Sequence, residues 1–230
     1  MLRAILFGFN GVLLDDEPIH FELFARVLAE EGIALSSEES YRRYLALDDR
    51  SFCTEALVAA GQAADTARVV RLITRKASYY RERLRREGYP FFPGVLARIV
   101  EAGRLELALG IVSGALREEV EGALEQAAVR SLFKVLVTAE DVADSKPDPQ
   151  GYQRALEALN SLPPLPDRLF HPHEVLAIED SPAGLAAAGG AGLATLGVAQ
   201  THPADRLAAA DQVVERLGEV NWQRLLPLYG

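Results

Sequence analysis

The sequence predicts an α/β fold: a doubly wound parallel sheet with a helical cap inserted after its first strand. Three observations carry this expectation. Short apolar runs recur at Ala4–Phe9, Leu107–Val112, Val135–Thr138, Val175–Ile178 and Ala194–Val198, as expected of strands buried on both faces. Longer amphipathic segments separate the later runs, the alternation of a parallel sheet covered by helices. After the first run the rhythm breaks, because residues 15–88 read as helix after helix without a convincing strand.

Taken in order, the first run ends at Asn10-Gly11, a turn-forming pair that stops a strand. The helical segment then begins. His20–Glu31 places Phe21, Phe24, Ala25 and Leu28 on one face before Gly32, the spacing of a half-buried helix with a glycine stop. Helices are also expected at Ser37–Leu47, Phe52–Ala60 and Asp65–Arg86, with Gly61 a further stop. Hinges belong near Leu14–Glu17 and Gly88–Gly94, where Pro90, Pro93 and Gly94 cluster. The expected division is therefore residues 1–14 with 89–230 as the core, and 15–88 as a cap over the sheet's carboxyl edge. Asn160–Pro172, with four prolines, reads as an exposed loop.

Composition narrows the classes of function. Of 230 residues, 49% are hydrophobic, enough for a substantial core. The formal charge of −9, with both signs interspersed, argues against a nucleic-acid or anionic-membrane partner. Cys53 is the single cysteine, so neither an intrachain disulfide nor a thiolate-rich metal site is available. The apolar start lacks a signal-peptide cleavage pattern, and no run reaches the roughly 18 apolar residues of a membrane span. A cytoplasmic protein, monomeric or weakly homo-oligomeric, is expected.

Chemistry should lie in the loops that follow the strands. After Leu107–Val112 comes Ser113-Gly114, where a hydroxyl and freed backbone N–H groups can hold phosphate oxygens before a helix near Arg117. The same serine would serve equally as a helix cap. Lys146 precedes Pro147, which can begin the next helix at its first position. It can neutralise a phosphate, or simply be a solvated loop lysine. Val175–Ile178 runs into Glu179 and Asp180, paired carboxylates suited to a hard cation such as Mg²⁺. A helix cap explains one of these acids but not both.

These residues together resemble a known family. Gly8–Leu13, Ser113, Lys146-Pro147 and the run Glu179–Gly192 are similar, in order, to the four motifs of the haloacid dehalogenase (HAD) superfamily. The helical insert, His20 and Leu47-Asp48-Asp49-Arg50 place the resemblance nearest the β-phosphoglucomutase-like and phosphatase branch, although Ala46 stands where a glycine is usual. It implies a Rossmann-like core, phosphate held by Ser113, Gly114 and Lys146, and substrate contacts from His20 and Arg50. It also implies Mg²⁺ held by the Asn10 carbonyl, Glu179 and Asp180. The first motif of such enzymes is Asp-x-Asp-Gly, whose first aspartate attacks phosphorus and whose second moves a proton.

Here those positions are Gly8 and Asn10. Glycine can form no acyl phosphate and supplies no carboxylate to a metal. The Asn10 amide cannot shuttle a proton, a function typically worth about 10²–10⁴-fold. Asp15, Asp16 and Glu17 begin too far along the chain to substitute, at about 3.3 Å per extended residue. The expectation is a phosphatase-like protein with its phosphoaspartate chemistry lost and its Mg²⁺ binding weakened. It should hold phosphate or a small phosphorylated metabolite beside Lys146, in the space left at Gly8. Two alternatives stand beside it: an active Mg²⁺-dependent phosphohydrolase or phosphomutase, and a protein whose cap closure signals to a partner. His171-Pro-His173 could suggest a metal pair but lies beside prolines with no third ligand in view, and His202 and Asp205 carry no specific signal.

Overall fold

The computed structural model describes residues 1–35 and 49–229. In chain order its strands are β1 (Ala4–Phe7), β2 (Ala108–Val112), β3 (Phe133–Val137), β4 (Val175–Glu179), β5 (Ala194–Val198) and β6 (Gln212–Val214). Its helices are α1 (Glu17–Glu30), α2 (Asp49–Ala59), α3 (Thr66–Glu87), α4 (Val95–Arg104), α5 (Arg117–Gln126), α6 (Gln150–Ser161), α7 (Pro182–Gly190) and a short α8 (Trp222–Leu225). The chain divides into two units, Met1–Asp15 with Tyr89–Gly230, and Asp16–Gly88. The helix expected at Ser37–Leu47 and the residues Ala46, Leu47 and Asp48 lie outside the described residues.

The first unit is a six-stranded sheet in the order β3-β2-β1-β4-β5-β6. Every strand pair is parallel, Ala4 lying opposite Ala108 on one side and Val175 on the other. Along β1, Ala4 and Leu6 enter one buried cluster and Ile5 and Phe7 the other. Such double burial explains why the strand is apolar throughout rather than alternating. The chain moves outward from β1 to β3 and then returns to place β4 on the other side of β1. That reversal makes a crevice at the carboxyl ends of β1 and β4, where open α/β proteins bind ligands.

Several boundaries depart from the expected ones. β1 ends at Phe7 because Gly8 to Leu14 turn back, with Leu13 N donating to Phe9 O at 2.7 Å. β6 was not foreseen from its sequence; it joins the sheet through Gly197↔Val213. Lys146-Pro147 does not open a helix. α6 starts at Gln150, whose N–H is accepted by Asp148 Oδ1 at 2.8 Å, with Pro149 as the preceding residue. Leu162, Leu165 and Leu169 are exposed in the proline-rich loop.

The second unit has its own core of Phe24, Val27, Leu28, Phe52, Cys53, Leu57, Val69 and Leu72. α1 starts at Glu17 rather than His20, with proline in its first turn, where no N–H is required. Asp65 caps α3, accepting from Arg68 N at 2.9 Å. Burial pushes the Cys53 thiol up to about 12, as for an inert core cysteine. No helix among the described residues is long and apolar enough to cross a membrane.

Candidate functional site

The crevice is built by the five loops of the first unit that follow β1, β2, β3, β4 and β5. Gly8 follows β1 and is held to β4 by Gly8 N donating to Ile178 O at 2.9 Å. The space expected at this glycine is not open. A Cβ there would stand 2.8 Å from Val12 Cγ2 and 3.2 Å from Glu179 Oε2. The Asn10-Gly11 turn packs Gly11 (φ 74°) so closely on the Asp180 carboxylate that any side chain would overlap it. Gln200 clamps the same turn, donating to Gly11 O at 3.0 Å and Val12 O at 3.1 Å and accepting from Leu217 N at 2.9 Å.

Lys146 is where the electrostatics differ most from the sequence expectation. Its Nζ donates to Val112 O at 3.1 Å, and it forms a short ion pair with Glu179 Oε1. Val112 ends β2 and Glu179 ends β4, the two neighbours of β1. One ammonium that reaches both spans the carboxyl end of β1, beside Gly8. The lysine therefore has an anionic partner already. Glu179 is 1% exposed, and a second short hydrogen bond, from the Tyr152 hydroxyl, also reaches Oε1. Burial, followed by the Glu179 charge, holds the Tyr152 phenol well above its ordinary range, so it remains a donor. Gly184, in the first turn of α7, leaves the room that the other end of this carboxylate fills.

Asp180 behaves differently from its neighbour. Burial, and then repulsion from Glu179, push its carboxyl up to about 7, against a short hydrogen bond from the Thr201 hydroxyl. Thr201 Oγ1 also lies 3.2 Å from His202 Nδ1, whose imidazole is pushed down by burial.

On the β2 side, Ser113 N donates to Val137 O at 2.9 Å, and Ser113 Oγ accepts from Ala115 N at 2.9 Å. That bond closes a small turn and leaves Gly114 exposed, with nothing within 4 Å of where a Cβ would be. The open ground in this half of the crevice is thus at Gly114, one residue beyond Ser113. The start of α5 is occupied from within the protein, because Arg117 N donates to both Glu140 carboxylate oxygens at 3.1 Å.

The second unit places His20 Nε2 3.2 Å from Asp16 Oδ2, which also accepts from Tyr80 OH at 2.6 Å. The His20 and Tyr80 rings stack at 4.8 Å. Arg50 is exposed in the first turn of α2. His171 and His173 stack at 5.7 Å, and among the described residues no group of three or more His, Cys, Asp or Glu is arranged to hold a metal.

An Mg²⁺ ion demands near-octahedral oxygen ligation, and the donors present fit it poorly. Glu179 Oε1 serves Lys146 and Tyr152, Asp180 Oδ2 accepts from Thr201, and position 8 offers no side-chain oxygen. Sequence reasoning located Ser113, Gly114, Lys146, Glu179 and Asp180 in this crevice. It missed Val12 and Gly184, whose contacts with nearby Gly8 and Glu179 are set by how the loops fold, and Tyr152, Gln200 and Thr201, which matter through contacts distant in sequence.

A parallel α/β sheet with a lysine, a hydroxyl-bearing loop and paired acids at its switch-point crevice has the layout of a ligand-binding α/β protein. Comparison with known proteins identifies the family. The profile of the haloacid dehalogenase-like hydrolases matches residues 5–198, and the chain belongs to that family. It is 29% identical to validoxylamine A 7'-phosphate phosphatase of Streptomyces hygroscopicus subsp. limoneus, over 99% of this chain and 100% of that protein. It is 30% identical to the phosphorylated carbohydrates phosphatase of Thermotoga maritima, over 84% of this chain and 82% of that one. The crystal structure of CbbY from Rhodobacter sphaeroides in complex with phosphate superposes with a TM-score of 0.80 at 25% identity, covering 95% of this chain and 96% of that one.

Proposed function

We propose that this chain binds a phosphate group, free or carried by a small sugar-like metabolite, and does not process it through a phosphoaspartate. One observation carries the reading: Gly8, at the carboxyl end of β1, has no side chain, and Val12 and Glu179 crowd the place where one would begin. The family resemblance puts the nucleophile at position 8 and the proton-transfer acid at position 10. With glycine and asparagine there, the covalent route has no attacking oxygen, and its acid–base step loses a contribution of about 10²–10⁴-fold. Phosphate would lie against exposed Gly114, with Ser113 and Lys146 as its nearest polar neighbours. Mg²⁺ binding is weakened by the same loss at position 8. His20 and Arg50 are assigned to the substrate's remaining part by resemblance. The names of the relatives support a phosphorylated carbohydrate as the ligand class.

Titration of inorganic phosphate by calorimetry, with and without Mg²⁺, tests this. Heat of binding is expected without the metal and should vanish in Lys146→Ala. An absolute metal requirement, or no heat in either buffer, overturns it. A second reading, an active Mg²⁺-dependent phosphohydrolase or phosphomutase, has the phosphatase names of the relatives in its favour, and Mg²⁺-dependent turnover by the unaltered protein would establish it.

A further inference from the structure

We propose that Glu179 is the protein's own counter-anion for Lys146, and that Tyr152 is the positioning residue that keeps it there, so that phosphate must compete with an internal carboxylate. The inference rests on the reading of Lys146 as a phosphate contact. It starts from the ammonium, which lies over the end of β1 between Val112 O at 3.1 Å and Glu179 Oε1. An isolated buried carboxylate is costly unless charges and hydrogen bonds offset its lost hydration. Glu179 gains both on one oxygen, from the Lys146 ammonium and the fully buried Tyr152 hydroxyl. Its other oxygen reaches the places where side chains at Gly8 and Gly184 would start. Two absent side chains thus make the room, and one phenol fixes the rotamer. A negative charge occupies the surroundings of position 8 without any acid being encoded there.

An incoming phosphate meets a lysine whose charge is already matched. The predicted consequence is attenuated anion binding, set by how firmly Glu179 is held rather than by Lys146 alone. Tyr152 does not touch the anion; it acts through Glu179.

Inorganic phosphate titrated into the full chain in chelated, metal-free buffer tests the proposal. Glu179→Gln keeps shape and hydrogen-bonding capacity but removes the opposing charge, and should tighten phosphate binding by roughly tenfold or more, as expected for one unit charge within contact distance. Tyr152→Phe lets the carboxylate swing away and should tighten it by a smaller factor, about threefold, even though it removes a buried hydrogen bond. A Tyr152 with a merely structural role would lower both stability and affinity, so a gain in affinity beside an unchanged or lowered Tm is the distinguishing result. If the unaltered protein binds phosphate and neither variant binds it more tightly, the counter-anion proposal is overturned and the phosphate-site reading stands. If no form binds phosphate, both are overturned.

Discussion

β4 carries a buried glutamate near each end, and the two are treated very differently. Before its amino end, Glu174 accepts from Arg3 at 3.3 Å, from Arg168 through both carboxylate oxygens, and from His171 N at 3.1 Å. Arg168, then the His171 N–H, and Arg3 draw its carboxyl down to about 2. At the carboxyl end, Glu179 has one ammonium, one phenol and a neighbouring acid whose own carboxyl is pushed up to about 7. The amino end over-supplies positive charge to tie down a loop. The carboxyl end packs two acids against one cation, an arrangement that costs stability and is expected where a site must meet a ligand.

The sharpest way to break this contrast is to remove the cation at each end. Lys146→Ala leaves the Glu179 carboxylate buried with only a phenol, and should lower stability in urea unfolding by about 3 kcal/mol. Arg3→Gln leaves Glu174 its Arg168 and His171 contacts, and should cause the smallest loss of any substitution considered. Between these two falls Gly184→Ala. Its methyl group would overlap Glu179 Oε2, and overpacking of this kind should cost about 2 kcal/mol. The loss should be largely relieved in a Glu179→Ala background, as a double-mutant cycle by thermal unfolding would reveal.

Acid titration separates the two ends by sign. Glu174 has a folded pKa of about 2, below its usual value of 4.5. Its stabilisation is therefore present above pH 4.5 and lost as pH falls toward 2. Glu174→Gln should flatten that acid limb. Asp180 is shifted upward instead, from 3.8 to about 7. Its penalty is absent below pH 3.8 and grows as pH rises toward 7. Asp180→Asn should thus gain stability relative to the unaltered protein over that interval, in metal-free buffer, with Tm against pH as the readout.

Much of this was legible in the sequence. The apolar runs of β1, β2, β4 and β5 stand out because both faces of each strand are buried, and the polar groups after them stand where a parallel sheet presents its ligand-facing loops. β6 was hidden because Gln212 is exposed and the strand is three residues long; only its ladder to β5 defines it. Lys146 was identified, but its partner 33 residues away was not. The expectation of a vacant position at Gly8 therefore failed. Nothing in the local sequence indicates that Val12 folds back onto that glycine or that Glu179 turns toward it. Tyr152 reads as an ordinary helix-core aromatic until its hydroxyl is seen to meet a carboxylate.

The proposed function has this crevice keep the family's scaffold without its covalent chemistry. Release of phosphate from a generic aryl phosphate, with and without Mg²⁺, tests it most directly. The unaltered protein should hydrolyse no faster than Lys146→Ala in either buffer. The double variant Gly8→Asp with Asn10→Asp, despite the crowding by Val12, should turn over in an Mg²⁺-dependent way. Mg²⁺-dependent multiple turnover by the unaltered protein would contradict the claim.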